Sequence, residues 1–143
     1  MTAVRCVTIF LLIIGGVTGL LGQSWVDPDQ SEPNGTRYQT FLSPTLGVPV
    51  SFLIYLPPDY QTPPLQRFPV VYWLHGLGGA QRAGTRSFLP QLDAAIRAKK
   101  VPSMIAVFVN GLGDSRFVDS FDGKRPVATV IAKDLVELFF NEG

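Results

Sequence analysis

The sequence predicts an α/β fold built on a doubly wound sheet. Two short runs are apolar throughout, residues 69–74 (PVVYWL) and 104–109 (MIAVFV). Both are rich in β-branched and aromatic residues and read as strands buried on both faces, the mark of parallel sheets. A helical stripe lies between them and another follows, the alternation that crossover connections produce.

Each element has its own signal. Nine of the twelve prolines lie between Pro28 and Pro69, so this region should hold loops and edge strands. Its best strands are 37–42 and 48–56. In the second, Val50, Phe52, Ile54 and Leu56 alternate with Ser51, Leu53 and Tyr55, a period of two. Pro57-Pro58-Asp59-Tyr60 ends it, and strand 69–74 follows. Phe88, Leu89, Leu92, Ala95 and Ile96 then predict a helix over 87–100. Arg97, Lys99 and Lys100 suit its C-terminal dipole, and Pro102 stops it. Strand 104–109 runs into Asn110-Gly111. After a long loop, Val127, Val130, Ile131, Leu135, Leu138 and Phe139 form the stripe of a helix over 126–140. The order is β–β–β–α–β–α. Two central strands and two helices are too few to cover both faces of a parallel sheet, and a further strand should follow the last helix. The chain therefore reads as the front of a longer domain, with an exposed apolar edge beyond strand 104–109.

The first 22 residues stand apart. Arg5 precedes sixteen uncharged, mostly apolar residues, Cys6 to Leu21, and Gly19 and Gly22 close the run. A basic start, an apolar stretch and a small-residue exit describe a secretory signal peptide, which implies a secreted or periplasmic protein. The alternative is a membrane anchor, weakened by Gly15, Gly16, Gly19 and Gly22. Residues 23–143 then form one domain. Removing the leader takes away Arg5 alone among the charged residues and leaves eleven cations against eleven acids. That balance argues against a nucleic-acid partner. Cys6 leaves too, so disulfides, thiolate metal sites and a cysteine nucleophile are excluded, and one histidine cannot build a multi-imidazole zinc site. No metal or cofactor is expected.

The chemistry concentrates in His75-Gly76-Leu77-Gly78-Gly79, directly after strand 69–74. Open α/β sheets bind ligands at the carboxyl ends of their strands, and a Gly-rich turn there aims backbone N–H groups at developing negative charge. Phosphate-loop patterns fail. Gln81 stands where a dinucleotide loop needs its third glycine, and Thr85 where a P-loop needs lysine. A strand leading into His-Gly-x-Gly-Gly is instead the oxyanion-loop arrangement of α/β-hydrolases.

Residues 54–60 (IYLPPDY) with 68–79 (FPVVYWLHGLGG) resemble the α/β-hydrolase family that includes esterase D, feruloyl and acetyl xylan esterases and the antigen 85 mycolyltransferases. The resemblance spans about residues 45–138. It implies the N-terminal part of a hydrolase sheet, and ester hydrolysis by a serine, histidine and acid. It also implies Leu77 N–H as an oxyanion donor, with Gly76 giving the turn. No Gly-x-Ser-x-Gly elbow occurs, and none of the serines from Ser24 to Ser120 sits in one. The family's serine, acid and histidine all fall after residue 143. The nucleophile and triad are therefore absent from these residues, and the chain alone is expected to be inactive.

Other residues carry weaker readings. His75 is a turn residue that bonds backbone rather than a catalytic base, and Tyr72 and Trp73 are sheet core. Asp114, Asp119 and Asp122 belong to a solvated loop whose spacing fits no calcium site, and Asp27, Asp29 and Ser31 fail the same template at Glu32. Arg116, Phe117 and Phe121, on the loop after strand 104–109, are candidate borders of a substrate cleft. Asn34-Gly35-Thr36 is a glycosylation sequon only in a eukaryotic source. The expected partner is a small-molecule or carbohydrate ester, with a membrane involved only if the leader is retained. Two alternatives to an exported serine-type esterase stay open: a non-catalytic exported module that binds carbohydrate or a partner, and a degenerate product that does not fold stably.

Overall fold

The computed structural model describes residues 24–61 and 66–140; the leader, residues 1–22, lies outside them. No described helix is long and apolar enough to cross a membrane. The strands are β1 (Arg37–Leu42), β2 (Pro49–Tyr55), β3 (Val70–Trp73) and β4 (Ile105–Val109). They form one mixed sheet in the order β1-β2-β4-β3. β1 and β2 make an antiparallel pair, β2 and β4 another, and β3 runs parallel to β4.

This order corrects two expectations. β2 is an interior strand despite its proline. Pro49 sits opposite Leu42 at the strand's first position, outside the Phe52–Tyr55 stretch that β4 pairs with, so no ladder bond to β4 is lost there. The edge strands among the described residues are β1 and β3, and β4 is interior. Ala106, Val107, Phe108 and Val109 are all 0% exposed, whereas the four β3 residues are half-buried.

Helices α1 (Ala83–Ser87) and α2 (Leu89–Arg97) connect β3 to β4. The last helical run, α3, spans 127–140 in three consecutive pieces, Val127–Thr129, a π-helical Val130–Leu135 and Val136–Phe140. One helix covers each face of the sheet. Leu89, Leu92 and Ile96 of α2 pack with Leu53, Tyr55, Ala106 and Phe108. Val127, Val130, Ile131 and Leu135 of α3 pack with Val50, Phe52, Val107 and Val109. The period-two alternation of β2 thus serves two cores, with Val50 and Phe52 on one side and Leu53 and Tyr55 on the other. The two helices enclose the interior strands β2 and β4 and leave the four β3 residues half-buried, as expected of the front of a larger sheet. Fully burying a side chain such as Leu53 or Phe108 stabilises the fold by roughly 1.5–3 kcal/mol.

Two close contacts fix the helices. Gly84 lets α1 press its backbone onto the sheet: a Cβ there would stand 2.4 Å from the Trp73 ring and 2.7 Å from the Phe108 ring. On the other face, the π-helical turn carries Asp134, only 4% exposed, to the β1–β2 connection. The Ser43 hydroxyl and Thr45 N–H donate to Asp134 Oδ2, and the Thr45 hydroxyl donates to Oδ1 at 2.9 Å. Burial pushes the Asp134 carboxyl up, but the Ser43 and Thr45 donors, helped by Lys133, outweigh it and hold the group below the ordinary carboxylate value.

A carboxyl lowered in the folded state adds stability that is complete above its unfolded pKa and disappears as pH falls through the folded one. Chemical denaturation of the wild type should therefore show stability falling below about pH 4. Asp134→Asn should flatten part of that acid limb while costing about 1–3 kcal/mol at neutral pH. An acid limb identical in both proteins would contradict the clip.

Candidate active site

Parallel pairing sets where the site forms. β3 and β4 run in the same direction, so the loops that follow them, 75–82 and 110–125, emerge at one end of the sheet. β2 runs the other way, which brings its first residues to that end too. Asn110, just past β4, donates from Nδ2 to the Ser51 hydroxyl of β2 at 3.3 Å and to the carbonyls of Ser24 and Trp25 at 3.0 Å. Ser51 also accepts the Asp27 N–H and donates to Gln81 Oε1. Arg82 pairs with the carboxylates of Asp27 and Asp29 and bonds the Ser31 hydroxyl. The segment 24–31 is thereby strapped under the loop after β3.

Within that loop, hydrogen bonds divide the glycine-rich N–H groups into two classes. Gly78 N–H donates to Gly113 C=O at 2.6 Å, and Gly79 N–H donates to Gly76 C=O at 2.9 Å. Those two are consumed in shaping the turn. The N–H groups of Gly76 and Leu77 donate to nothing among the described residues. Gly78 takes φ +73°, which glycine adopts without strain, and a Cβ on Gly79 would stand 2.9 Å from the Gly76 oxygen it must approach. His75 is 5% exposed, and its Nδ1 lies 2.9 Å from the Gly76 carbonyl oxygen.

The loop after β4 closes the other side. Leu112, Arg116 and Phe117 hold left-handed φ values of 57°, 54° and 56°, a strained backbone for side-chain-bearing residues. Ser115 holds it: its hydroxyl donates to the Gly111 carbonyl and accepts the Phe117 N–H at 3.0 Å. The Phe117 ring reaches back over Gly111 and packs on the His75 imidazole, centroids 4.9 Å apart. Further out, Arg125 pairs with Asp114, and that hydrogen bond holds the Asp114 carboxyl below its usual value. Asp119 accepts the N–H and hydroxyl of Thr129 at the start of α3. These acids lie in an exposed loop, as expected, but they are structural caps within it. No cluster of three or more His, Cys, Asp or Glu placed for a metal occurs among the described residues.

A cleft of about 50 Å³ results, lined by His75, Gly76, Leu77, Gly113, Arg116 and Phe117. It joins the predicted oxyanion residues to two of the three predicted cleft residues. Phe121 does not line it and projects fully into solvent. The cleft is well below the roughly 300–1,000 Å³ of a whole ligand pocket, so it has room for only a small part of a ligand. Sequence reasoning missed the supports Ser51, Gln81, Arg82 and Asn110. The sole hint was the opposite charge of Arg82 and of Asp27 and Asp29, whose pairing spans more than fifty residues and no local pattern reports it.

A family model described as "Putative esterase" matches residues 43–134. The chain belongs to this esterase family. Solved structures agree on the fold. A ferulic acid esterase is similar at 18% identity with a TM-score of 0.64, over 75% of this chain and 43% of that one. A ferulic acid esterase from Anaeromyces mucronatus, seen with ferulic acid, gives 16% and 0.55 over 82% and 49%. An S-formylglutathione hydrolase from Agrobacterium tumefaciens gives 16% and 0.54 over 80% and 47%. The chain thus spans a little under half the length of these esterase-fold relatives. None of the curated proteins compared with the chain matches it.

The contact of Phe117 with His75 depends on the space above Gly111, where a Cβ would stand 2.1 Å from the Phe117 ring. Gly111→Ala should displace the ring, abolish the His75–Phe117 proton–proton NOE and lower stability by about 1–3 kcal/mol. An intact NOE with unchanged melting would refute this geometry.

Proposed function

We propose that the chain supplies the oxyanion-stabilising part of an exported carboxylic-ester hydrolase of the serine type. The observation that carries this reading is the division of N–H groups in the loop: those of Gly78 and Gly79 are committed, while those of Gly76 and Leu77, two residues that line the cleft, are not. A backbone donor held in a preformed turn beside a small cleft suits a carbonyl oxygen that gains negative charge during acyl transfer. Family membership agrees with it. Aromatic acyl esters, as the ferulic acid esterases among the structural relatives suggest, are one candidate substrate class, and the half-buried Phe117 offers an aromatic wall.

The 143 residues hold no Gly-x-Ser-x-Gly elbow, and His75 is engaged with backbone, so the nucleophile and its base are not among them. One oxyanion donor lowers a barrier by roughly 3–4 kcal/mol, far less than a whole esterase achieves. The leader, residues 1–22, supports export. The competing reading, a non-catalytic carbohydrate- or partner-binding module, draws on the Pro-rich N-terminal strands, exposed aromatics such as Phe121 and the missing elbow, but gives the uncommitted Leu77 N–H no task.

Ester turnover by the full chain decides between them. With 4-nitrophenyl acetate we expect only slow hydrolysis, insensitive to a serine-directed fluorophosphonate. Leu77→Pro deletes the N–H while altering a side chain that is 72% exposed, and should reduce that residual rate to background. Fast turnover blocked by the fluorophosphonate would show a nucleophile within these residues. A residual rate unaffected by Leu77→Pro would remove Leu77 from the chemistry.

A further inference from the structure

We infer that His75 is a positioning residue that aims the Leu77 N–H through the peptide group between Gly76 and Leu77; the inference rests on the oxyanion reading above. The Gly76 carbonyl and the Leu77 N–H belong to one planar trans peptide and point in opposite directions. Whatever grips the carbonyl therefore sets the direction of the N–H. Two donors grip it. Gly79 N–H reaches the Gly76 oxygen at 2.9 Å, and His75 Nδ1 reaches the same oxygen at 2.9 Å. A carbonyl oxygen has two lone pairs, so both are filled, and the peptide plane cannot swing without breaking two bonds.

Chemistry fixes the tautomer. A carbonyl only accepts, so Nδ1 carries the proton in this contact. Nε2 is then a lone-pair acceptor; it is buried and has no partner among the described residues. The alternative tautomer would place an Nδ1 lone pair against the Gly76 oxygen and a buried N–H donor without an acceptor, two penalties at once. Phe117 packs against the imidazole with ring planes tilted by 56°, and the missing Cβ of Gly79 leaves the space that His75 Cβ and Nδ1 occupy, since a Cβ there would stand 3.1 and 3.3 Å from them. The ring is thereby held by Phe117 on one side and by its bond to the Gly76 oxygen on the other. Hydrogen bonding at the carbonyl also polarises the peptide, which strengthens the N–H at its other end as a donor. His75 thus acts without touching substrate.

His75 is the chain's single histidine, so its imidazole nitrogens give unambiguous resonances in the ¹⁵N-labelled full chain. We expect the Nδ1–H tautomer. His75→Leu removes the donor and should speed exchange of the Gly79 amide about tenfold, the scale of one lost hydrogen bond, and shift the Leu77 amide resonance. His75→Asn places an amide donor where Nδ1 stood and should restore both. The amides of Val107 and Phe108 report general loosening and should stay protected in each variant. An Nε2–H tautomer, or Leu77 and Gly79 amides that behave alike in both variants, would overturn the inference. Should His75→Leu not fold, the wild-type tautomer decides alone. None of these readouts uses ester turnover, so a failure here is distinct from a failure of the oxyanion reading.

Discussion

The parallel pairing of β3 with β4 is the constraint on which the candidate site depends. It delivers the ends of two neighbouring strands to one end of the sheet, with Val70 opposite Ile105 and Trp73 opposite Phe108. From there the Gly-rich loop and the Phe117 loop face each other and are stitched by the bond from Gly78 to Gly113. An antiparallel pairing would put them at opposite ends of the sheet, and no arrangement of side chains would restore the cleft. The register is secured by burial, since β4 is enclosed on both faces and slipping it by one residue would exchange its two cores.

Polar groups in this region are used sparingly and for stated ends. Ser51, Gln81, Asn110, Arg82 and the acids of segment 24–31 bond one another beneath the loop, giving it a rigid floor. Gly78 and Gly79 use their N–H groups on the turn itself. The strained left-handed backbone at Arg116 and Phe117 is the cost of bringing an aromatic ring against His75, and Ser115 offsets it. What remains uncommitted among the described residues of the loop's glycine-rich turn is the N–H pair of Gly76 and Leu77, both beside the cleft. A backbone donor so held needs no reorganisation when charge develops, which is the physical basis of oxyanion stabilisation.

The elements themselves were legible in the sequence, because each has a local period. β1 occupies the expected residues 37–42, and the two apolar runs and two stripes become β3, β4, α2 and α3 within a few residues. The His-Gly-x-Gly-Gly signal was legible too, since a motif of five consecutive residues needs no tertiary information, and its loop lines the cleft. Sheet order was not legible. Proline density pointed to edge strands, yet one proline at the first position of β2 costs no ladder bond to β4. That β3 rather than β4 lies at an edge follows from a crossover that places β4 inside it, which no local pattern encodes. The π-helical turn that brings Asp134 to Ser43, and the left-handed pair at 116–117, arise from contacts with distant chain and leave no trace in periodicity.

The central claim is that this loop holds the Leu77 N–H ready for an oxygen while those of Gly78 and Gly79 are spent. Titrating the ¹⁵N-labelled full chain with a simple aromatic carboxylate, and following the backbone amides of 76–79, tests it directly. The account predicts that the Leu77 amide shifts with saturation, accompanied by Gly76, while Gly78 and Gly79 stay in place. Saturable shifts at Gly78 and Gly79 with Leu77 unmoved, or none anywhere in the loop, would contradict it.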